Sequence, residues 1–403
     1  MKTLYINYTD SISKPTQGKW SKHLKSDNHT KYHGGGNYTN MILQKLQKKN
    51  DTCEIILLWP KDHLPQTELE KSFYETGFFT IQHIESLSEN VQLIENSTLF
   101  LPVLHNPSDY MSLRQLKSAN PSVKIIATIH DLRSSFNDYG MITRYYFTGL
   151  KCHLFFLQKP VFWLLNTFIF NRKIRKGMKV LDTIFTDSNY SLQKLNKLQP
   201  KGKIIPHYLS LTSDNLLKQR ENKGNYFLFV SGSRPVKNLL RTLEAFCLFK
   251  ETDKNDYYLY VTGLNEDMLD RLLKYKKLDK EVISKWVKVL GYVEEDVLSG
   301  LYRNCSLLIY TSLYEGFGLP LLEAARQGRP AISSYSSSIP EVLGSCTHYV
   351  NPYDVHSISD GMTYMTQEDV LKQYEKQILK QYPILEQRGF QDIEVLIETL
   401  FTV

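Results

Sequence analysis

The stretch Leu313–Ala325, Leu-Tyr-Glu-Gly-Phe-Gly-Leu-Pro-Leu-Leu-Glu-Ala-Ala, permits few local structures. It follows Ser306–Tyr310, a short apolar run that reads as a buried parallel strand, and Pro320 suits the first turn of a helix. The predicted order is strand, glycine loop, helix. Gly316 and Gly318 remove side chains where the backbone turns, so the amides of Gly316, Phe317, Gly318 and Leu319 can point outward at the positive end of that helix. Such an end suits a phosphate or an electron-rich sugar oxygen. Glu315 and Glu323 stand eight positions apart across the junction, and each carboxylate can accept from a pair of hydroxyls. Phosphate amides beside two hydroxyl-binding acids describe a nucleotide sugar. The plainer alternative is a Glu323 that complements the helix dipole and a solvated Glu315.

These residues resemble the Glu-x7-Glu signature of retaining glycosyltransferases of the family 4 type. The continuation Gly328-Arg-Pro-Ala-Ile-Ser-Ser, then Ser338-Ile-Pro-Glu-Val and Asn351-Pro-Tyr-Asp, is similar to the same family. The resemblance implies an α/β protein of the GT-B fold, two facing Rossmann-like domains with parallel sheets. It also implies a nucleoside-diphosphate sugar as co-substrate, with no cofactor and no metal.

A chain of 403 residues exceeds one ordinary core and is expected to form two domains. With 42% hydrophobic and 23% charged residues it is neither disordered nor a multi-span membrane protein in composition. The net charge of +7 is diffuse, and no basic-aromatic module of a known kind accompanies it, so nucleic acid is not an expected partner. Cys53, Cys152, Cys247, Cys305 and Cys346 are widely spaced without metal-ligand pairing and read as reduced thiols of a cytoplasmic protein. The opening Met-Lys-Thr-Leu-Tyr-Ile-Asn-Tyr runs straight into a strand pattern, with no cleavable signal segment expected.

Residues 1–209 read as the N-terminal, acceptor-binding domain. Strands are predicted over Thr3–Tyr8, Cys53–Trp59, Leu99–Leu104, Asp182–Ser188 and from Lys203, and Lys124–Ile129 leads out to His130 and Asp131. Side chains at that strand edge face the ligand crevice of an open parallel sheet. His130 can then orient a sugar and Asp131 an acceptor, or His130 is structural and hydrogen-bonded to Asp131. The run His33-Gly-Gly-Gly-Asn-Tyr-Thr-Asn precedes a helix from Met41, with Asn37 or Thr39 as cap, and its glycines either admit a ligand or form a plain surface turn. Residues 141–180 depart from the alternation: aromatic clusters are followed by Arg172, Lys173, Arg175, Lys176 and Lys179. Gln158, Lys159 and Pro160 interrupt the apolar run, so neither part reaches the roughly 20 residues of a membrane span. The segment either lies on a membrane surface or forms domain helices.

Residues 210–224 read as a linker, 225–383 as the nucleotide-sugar-binding domain and 384–403 as a helix crossing back to the first domain. Tyr226–Gly232 ends in Gly232-Ser-Arg-Pro-Val-Lys-Asn, which places Arg234 and Lys237 where phosphates sit in a strand-turn-helix unit. Arg offers a planar fork and Lys a point charge, or both belong to a solvated turn. This turn is about one residue shorter than the family's, with Arg234 displaced, so the division of work between the two cations stays open.

The resemblance further implies roles for individual residues. Gly35 and Gly36 would face the donor diphosphate, and His130 would lie near the sugar. Backbone at Tyr292 and Val293 would hold the base. Glu323 would take the ribose hydroxyls, and Arg234, Lys237 and the amides of Gly316–Leu319 the diphosphate. Gly232 would form the turn, and Glu315 would orient the sugar. The expected acceptor is a glycan, lipid-linked or part of a cell-surface polysaccharide, met at the inner face of a membrane, with a homo- or hetero-oligomer compatible with these features. The competing readings are an idle partner subunit of an active transferase and a sugar-nucleotide epimerase.

Overall fold

A computed structural model describes residues 3–9, 11, 34–49, 53–85, 87, 93–104, 107–130, 172–211, 224–276, 278 and 280–402. Asp131, Cys152, residues 141–171 and most of the linker expected at 210–224 lie outside them.

Apolar strands buried on both faces dictate the architecture, because all-parallel sheets are stable only when helices cover each side. Among the described residues, β1 (Thr3–Asn7), β2 (Glu54–Pro60), β3 (Thr80–Ile84), β4 (Thr98–Leu101), β5 (Lys124–Thr128), β6 (Thr183–Thr186) and β7 (Lys203–Pro206) form one sheet. Its order is β3-β2-β1-β4-β5-β6-β7. A second sheet is built from β8 (Tyr226–Phe229), β9 (Tyr258–Thr262), β10 (Val287–Gly291), β11 (Leu307–Tyr310), β12 (Ala331–Ser334) and β13 (His348–Val350). Its order is β10-β9-β8-β11-β12-β13. Every pairing in both sheets is parallel. Strand order reverses beside β1 in the first sheet and beside β8 in the second, and ligands of open α/β sheets bind outside the carboxyl ends of strands at such reversals.

The chain divides into two compact units. One takes the described residues up to Leu211 together with those from Gly389 onward, and the other takes Gly224 to Arg388. In the second unit, Leu239, Leu243, Phe246 and Phe249 line one face of the helix Leu239–Thr252, the spacing of an amphipathic helix, and join Phe227, Phe229, Leu259 and Val261 in the core.

Two boundaries differ from the sequence reading. The last helix does not begin at 384: it runs from Glu368 to Phe401 with Pro383 inside it. Its later residues pack within the first unit, where Asp392 accepts from the Tyr208 amide through its carboxylate at 2.8 Å and Gly389 meets Ser210. The N-terminal glycines are helical and do not precede the helix, since the helix spans Gly34–Gln47. Thr39 is therefore no cap. It is buried, and its Oγ1 accepts from Ser11 at 2.7 Å. Strands β3 (Thr-Ile-Gln-His-Ile) and β13 (His-Tyr-Val) went unread because they are partly exposed and lack a continuous apolar run. Among the described residues no helix is long and apolar enough to cross a membrane, and the described cysteines are free thiols.

Candidate active site

The loops leaving β8 and β11, the neighbours at the reversal of the second sheet, carry the two charges that the sequence singled out. Lys237 ends the short 3-10 turn Pro235–Lys237 after β8, and Glu315 lies five residues beyond β11. Their side chains meet: Lys237 Nζ is 2.8 Å from Glu315 Oε1, with side chains only 5% and 9% exposed. The approach lies off the hydrogen-bond direction, so charge holds this contact. Lys237 also donates to the Tyr310 hydroxyl at 3.0 Å and lies over that ring. An ammonium so placed is fixed in space, because leaving either member of a buried ion pair alone is costly.

The backbone around the pair is equally determined. Asn238 takes a left-handed conformation (φ 68°), one that Asn tolerates better than most residues. Its amide group donates to the carbonyls of Thr311 (3.2 Å) and Pro352 (2.7 Å), tying the basic turn to the exit of β11. Gly232 is buried, and a Cβ there would lie 2.7 Å from Val261, so the turn needs glycine for packing. Arg234, three residues before Lys237, is exposed. The turn thus carries one buried cation and one exposed cation.

Gly318 caps the helix Leu319–Arg326 at φ 125°, a conformation open in practice to glycine alone. The amides of Gly318 and Leu319 precede any intrahelical acceptor, which leaves them for a ligand or water. Phe317 and Gly316 are buried in the loop. Serines hold this loop from the far side: Ser337 Oγ accepts from the Glu315 amide at 2.8 Å, and Ser338 Oγ lies 2.9 and 3.0 Å from the carbonyls of Glu315 and Phe317. Ser337 and Ser338 thus fix the backbone that carries Glu315.

Glu323 sits on the second turn of its helix and is half-buried. Its Oε2 accepts from the Tyr302 hydroxyl at 2.7 Å. Burial raises its pKa, and Glu295 adds to that, while Tyr302, Lys237 and Arg326 oppose it. Tyr292 is exposed and Val293 half-buried after the left-handed Gly291 that ends β10.

The first unit places His130 beyond β5, at the sheet's carboxyl edge as expected, and Asp187 beyond β6 meets it there. His130 Nδ1 is 2.9 Å from an Asp187 oxygen, and Nε2 is 3.0 Å from the Pro102 carbonyl. Both neighbours are acceptors when Asp187 is ionised, so the arrangement engages both ring nitrogens as donors only in the protonated ring. Tyr38 packs edge-on against it at 4.8 Å, and its hydroxyl lies 3.1 Å from Thr128 Oγ1. Gly35 and Gly36 belong to the first turn of the helix that carries Tyr38.

Lys237 and Glu315 are thus brought together, with Glu323, Gly316, Phe317, Gly318 and Leu319 on the same loop and helix. His130 and the Gly34–Gly36 run belong to the other unit. Sequence reasoning missed Asp187, Tyr302 and Tyr310, for which only strand-exit or helical spacing offers a signal.

Two Rossmann-like units with parallel sheets place the chain in the GT-B architecture. The HepE structure from Anabaena, solved in complex with UDP, shares that fold at a TM-score of 0.67 and 12% identity, over 100% of both chains. Residues 215–381 match the family model of glycosyl transferases group 1. O-antigen chain mannosyltransferase B of Escherichia coli is 28% identical over 214 residues, 49% of this chain and 55% of that relative. O-antigen chain mannosyltransferase RfbU of Salmonella typhimurium is 28% identical over 230 residues, 57% of each chain. The chain spans little more than half the length of these relatives.

Proposed function

We propose that the chain is a retaining glycosyltransferase of the family 4 type that uses a nucleoside-diphosphate sugar without a metal ion and extends a surface polysaccharide. The observation that carries this reading is the buried Lys237–Glu315 pair at the reversal of the second sheet, eight residues ahead of Glu323. Mannose is the first candidate sugar, because the matched O-antigen relatives are named mannosyltransferases.

In this reading Glu323 takes ribose hydroxyls, and Glu315, oriented by Lys237, accepts from sugar hydroxyls. Breaking the bond from the anomeric carbon to the phosphate oxygen leaves charge on the diphosphate. The amides of Gly318 and Leu319, fixed by the helix start, are preorganised for that charge, and the exposed Arg234 adds a cation within reach of it, so both favour the transition state over the ground state. The acceptor hydroxyl attacks from the face that the leaving group vacates and gives its proton to the departing phosphate, which retains the anomeric configuration. His130, with both nitrogens engaged, orients and charges the edge of the first sheet and does not serve as a base. The exposed cations Arg172, Lys173, Arg175, Lys176 and Lys179 suit an anionic membrane surface on the cytoplasmic side, where a lipid-linked acceptor would be met.

The test is a thermal-shift and product screen against uridine- and guanosine-diphosphate sugars, in chelator, with Glu315→Gln in parallel. A donor that stabilises the wild type and yields an α-linked product without metal supports the proposal, with product lost in the variant. Binding without transfer to any glycan would favour an idle subunit, and interconversion of free nucleotide sugars an epimerase.

A further inference from the structure

The second acid of the motif is oriented from outside the motif. Tyr302 comes from the helix Glu295–Asn304, one crossover earlier than Glu323, and is 2% exposed. Its hydroxyl donates to Glu323 Oε2 at 2.7 Å, and Oε1 has no hydrogen-bond partner among the described residues. A glutamate on a helix surface samples several rotamers, and one bond to a buried phenol selects among them. The free oxygen carries two lone pairs, and Oε2 keeps a further one, enough for two adjacent hydroxyls.

We propose that Tyr302 is a positioning residue: it fixes the Glu323 carboxylate so that Oε1 meets the ribose hydroxyls of a nucleoside diphosphate, and it thereby sets the preference for ribose over deoxyribose. The inference rests on the nucleotide-sugar reading above and adds to it the residue that makes the ribose contact directional. Tyr302 has no other role visible in the site. The charged and titratable groups that act on the pair are Glu295 from the same helix as Tyr302, Lys237 from the basic turn and Arg326 from the helix of Glu323, with Tyr310 and Cys305 near the phenol. Glu295 disfavours the carboxylate and the two cations favour it, so removing the phenol tips the balance towards the protonated acid.

The experiment measures binding of UDP, GDP and their 2′-deoxy forms to the full chain across pH, for wild type, Tyr302→Phe and Glu323→Gln. Phe keeps the ring and its packing and removes only the donor. Tyr302→Phe is expected to lower affinity for the bound ribonucleotide about tenfold, in keeping with a hydrogen bond to a charged group. The ratio of ribo to deoxyribo affinity should fall towards one, and the acid limb of binding should move to higher pH. The ratio does not depend on the folded fraction, so a destabilised variant still gives an answer. If Glu323→Gln loses ribose preference while Tyr302→Phe keeps both preference and pH limb, Tyr302 is merely structural and the inference is overturned. If Glu323→Gln leaves preference unchanged, or the wild type binds none of the four nucleotides, the nucleotide-sugar reading itself fails.

Discussion

The two sheets each set a basic side chain against a carboxylate at their carboxyl edges, and the two pairs face opposite duties. In the second unit the Lys237–Glu315 pair joins two loops that flank the reversal of strand order, beside a glycine-capped helix start and an exposed Arg234. In the first unit, His130 and Asp187 stand on adjacent strands, and the second ring nitrogen is occupied by the Pro102 carbonyl. One pair lies in a bed of ligand-ready groups, while the other closes on itself. A charged residue at a strand exit is thus a candidate only when donor or acceptor capacity remains after the protein has satisfied it.

The comparison is broken most directly at Lys237. Lys237→Met leaves the Glu315 carboxylate buried without its cation and is expected to cost about 3–5 kcal/mol in a denaturant titration. Adding Glu315→Gln should recover much of that loss. A loss below about 1 kcal/mol would mean that the pair is solvated and holds no loop.

Next comes pH, which separates the first unit from the second. His207 is fully buried among Tyr38 and Phe185, its Nδ1 donates to the Asp392 carbonyl oxygen at 3.1 Å, and burial lowers its pKa from 6.5 to about 4. Because that oxygen is an acceptor, Nδ1 carries the proton in the neutral ring. Between pH 6.5 and 4 the unfolded chain binds the proton and the folded one does not, so stability is full above pH 6.5 and declines as pH falls to about 4. The loss approaches about 3 kcal/mol at the lower end, from 1.36 kcal/mol per pKa unit. His207→Gln should flatten that slope in urea midpoints measured between pH 7 and 4, and an unchanged slope would place the titration elsewhere.

Asp187→Asn sharpens the contrast at smaller scale. It keeps the shape but removes the charge that His130 Nδ1 meets, with an expected cost of about 1.5–3 kcal/mol. Donor binding in the second unit should be unaffected, and a parallel fall in nucleotide affinity would show that the first unit also shapes the donor site. The smallest structural effect is expected at Arg234. Arg234→Ala should shift stability by no more than about 0.5 kcal/mol, since the side chain is exposed, and yet weaken donor binding in a salt-dependent way. Unchanged donor affinity would remove Arg234 from the diphosphate site.

Local rules made much of the second unit legible. Pro320 and Gly318 announced a helix start, and the apolar runs at Tyr226 and Leu307 announced parallel strands, because each preference acts within a few residues. Partly exposed β13 and β3, which lack a continuous apolar run, gave no such signal. The Gly34–Gly36 turn misled for a related reason: glycine weakens a helix but does not forbid it, and the buried Tyr38, Met41 and Ile42 downstream supply the packing that carries the helix through it.

Taken alone, the sequence determined the alternation of strand and helix, the glycine loop with its two acids and the basic turn, since these depend on backbone preference and spacing. Only the tertiary structure decided which groups meet. Lys237 and Glu315 are 78 positions apart in number, and sheet order sets them 2.8 Å apart. Tyr302 reaches Glu323, Asp187 meets His130 from the neighbouring strand, and Ser338 braces the loop of Glu315 for the same reason. Hydrogen bonds and ion pairs act over about 3 Å, a scale on which sequence separation carries no information until the chain has folded.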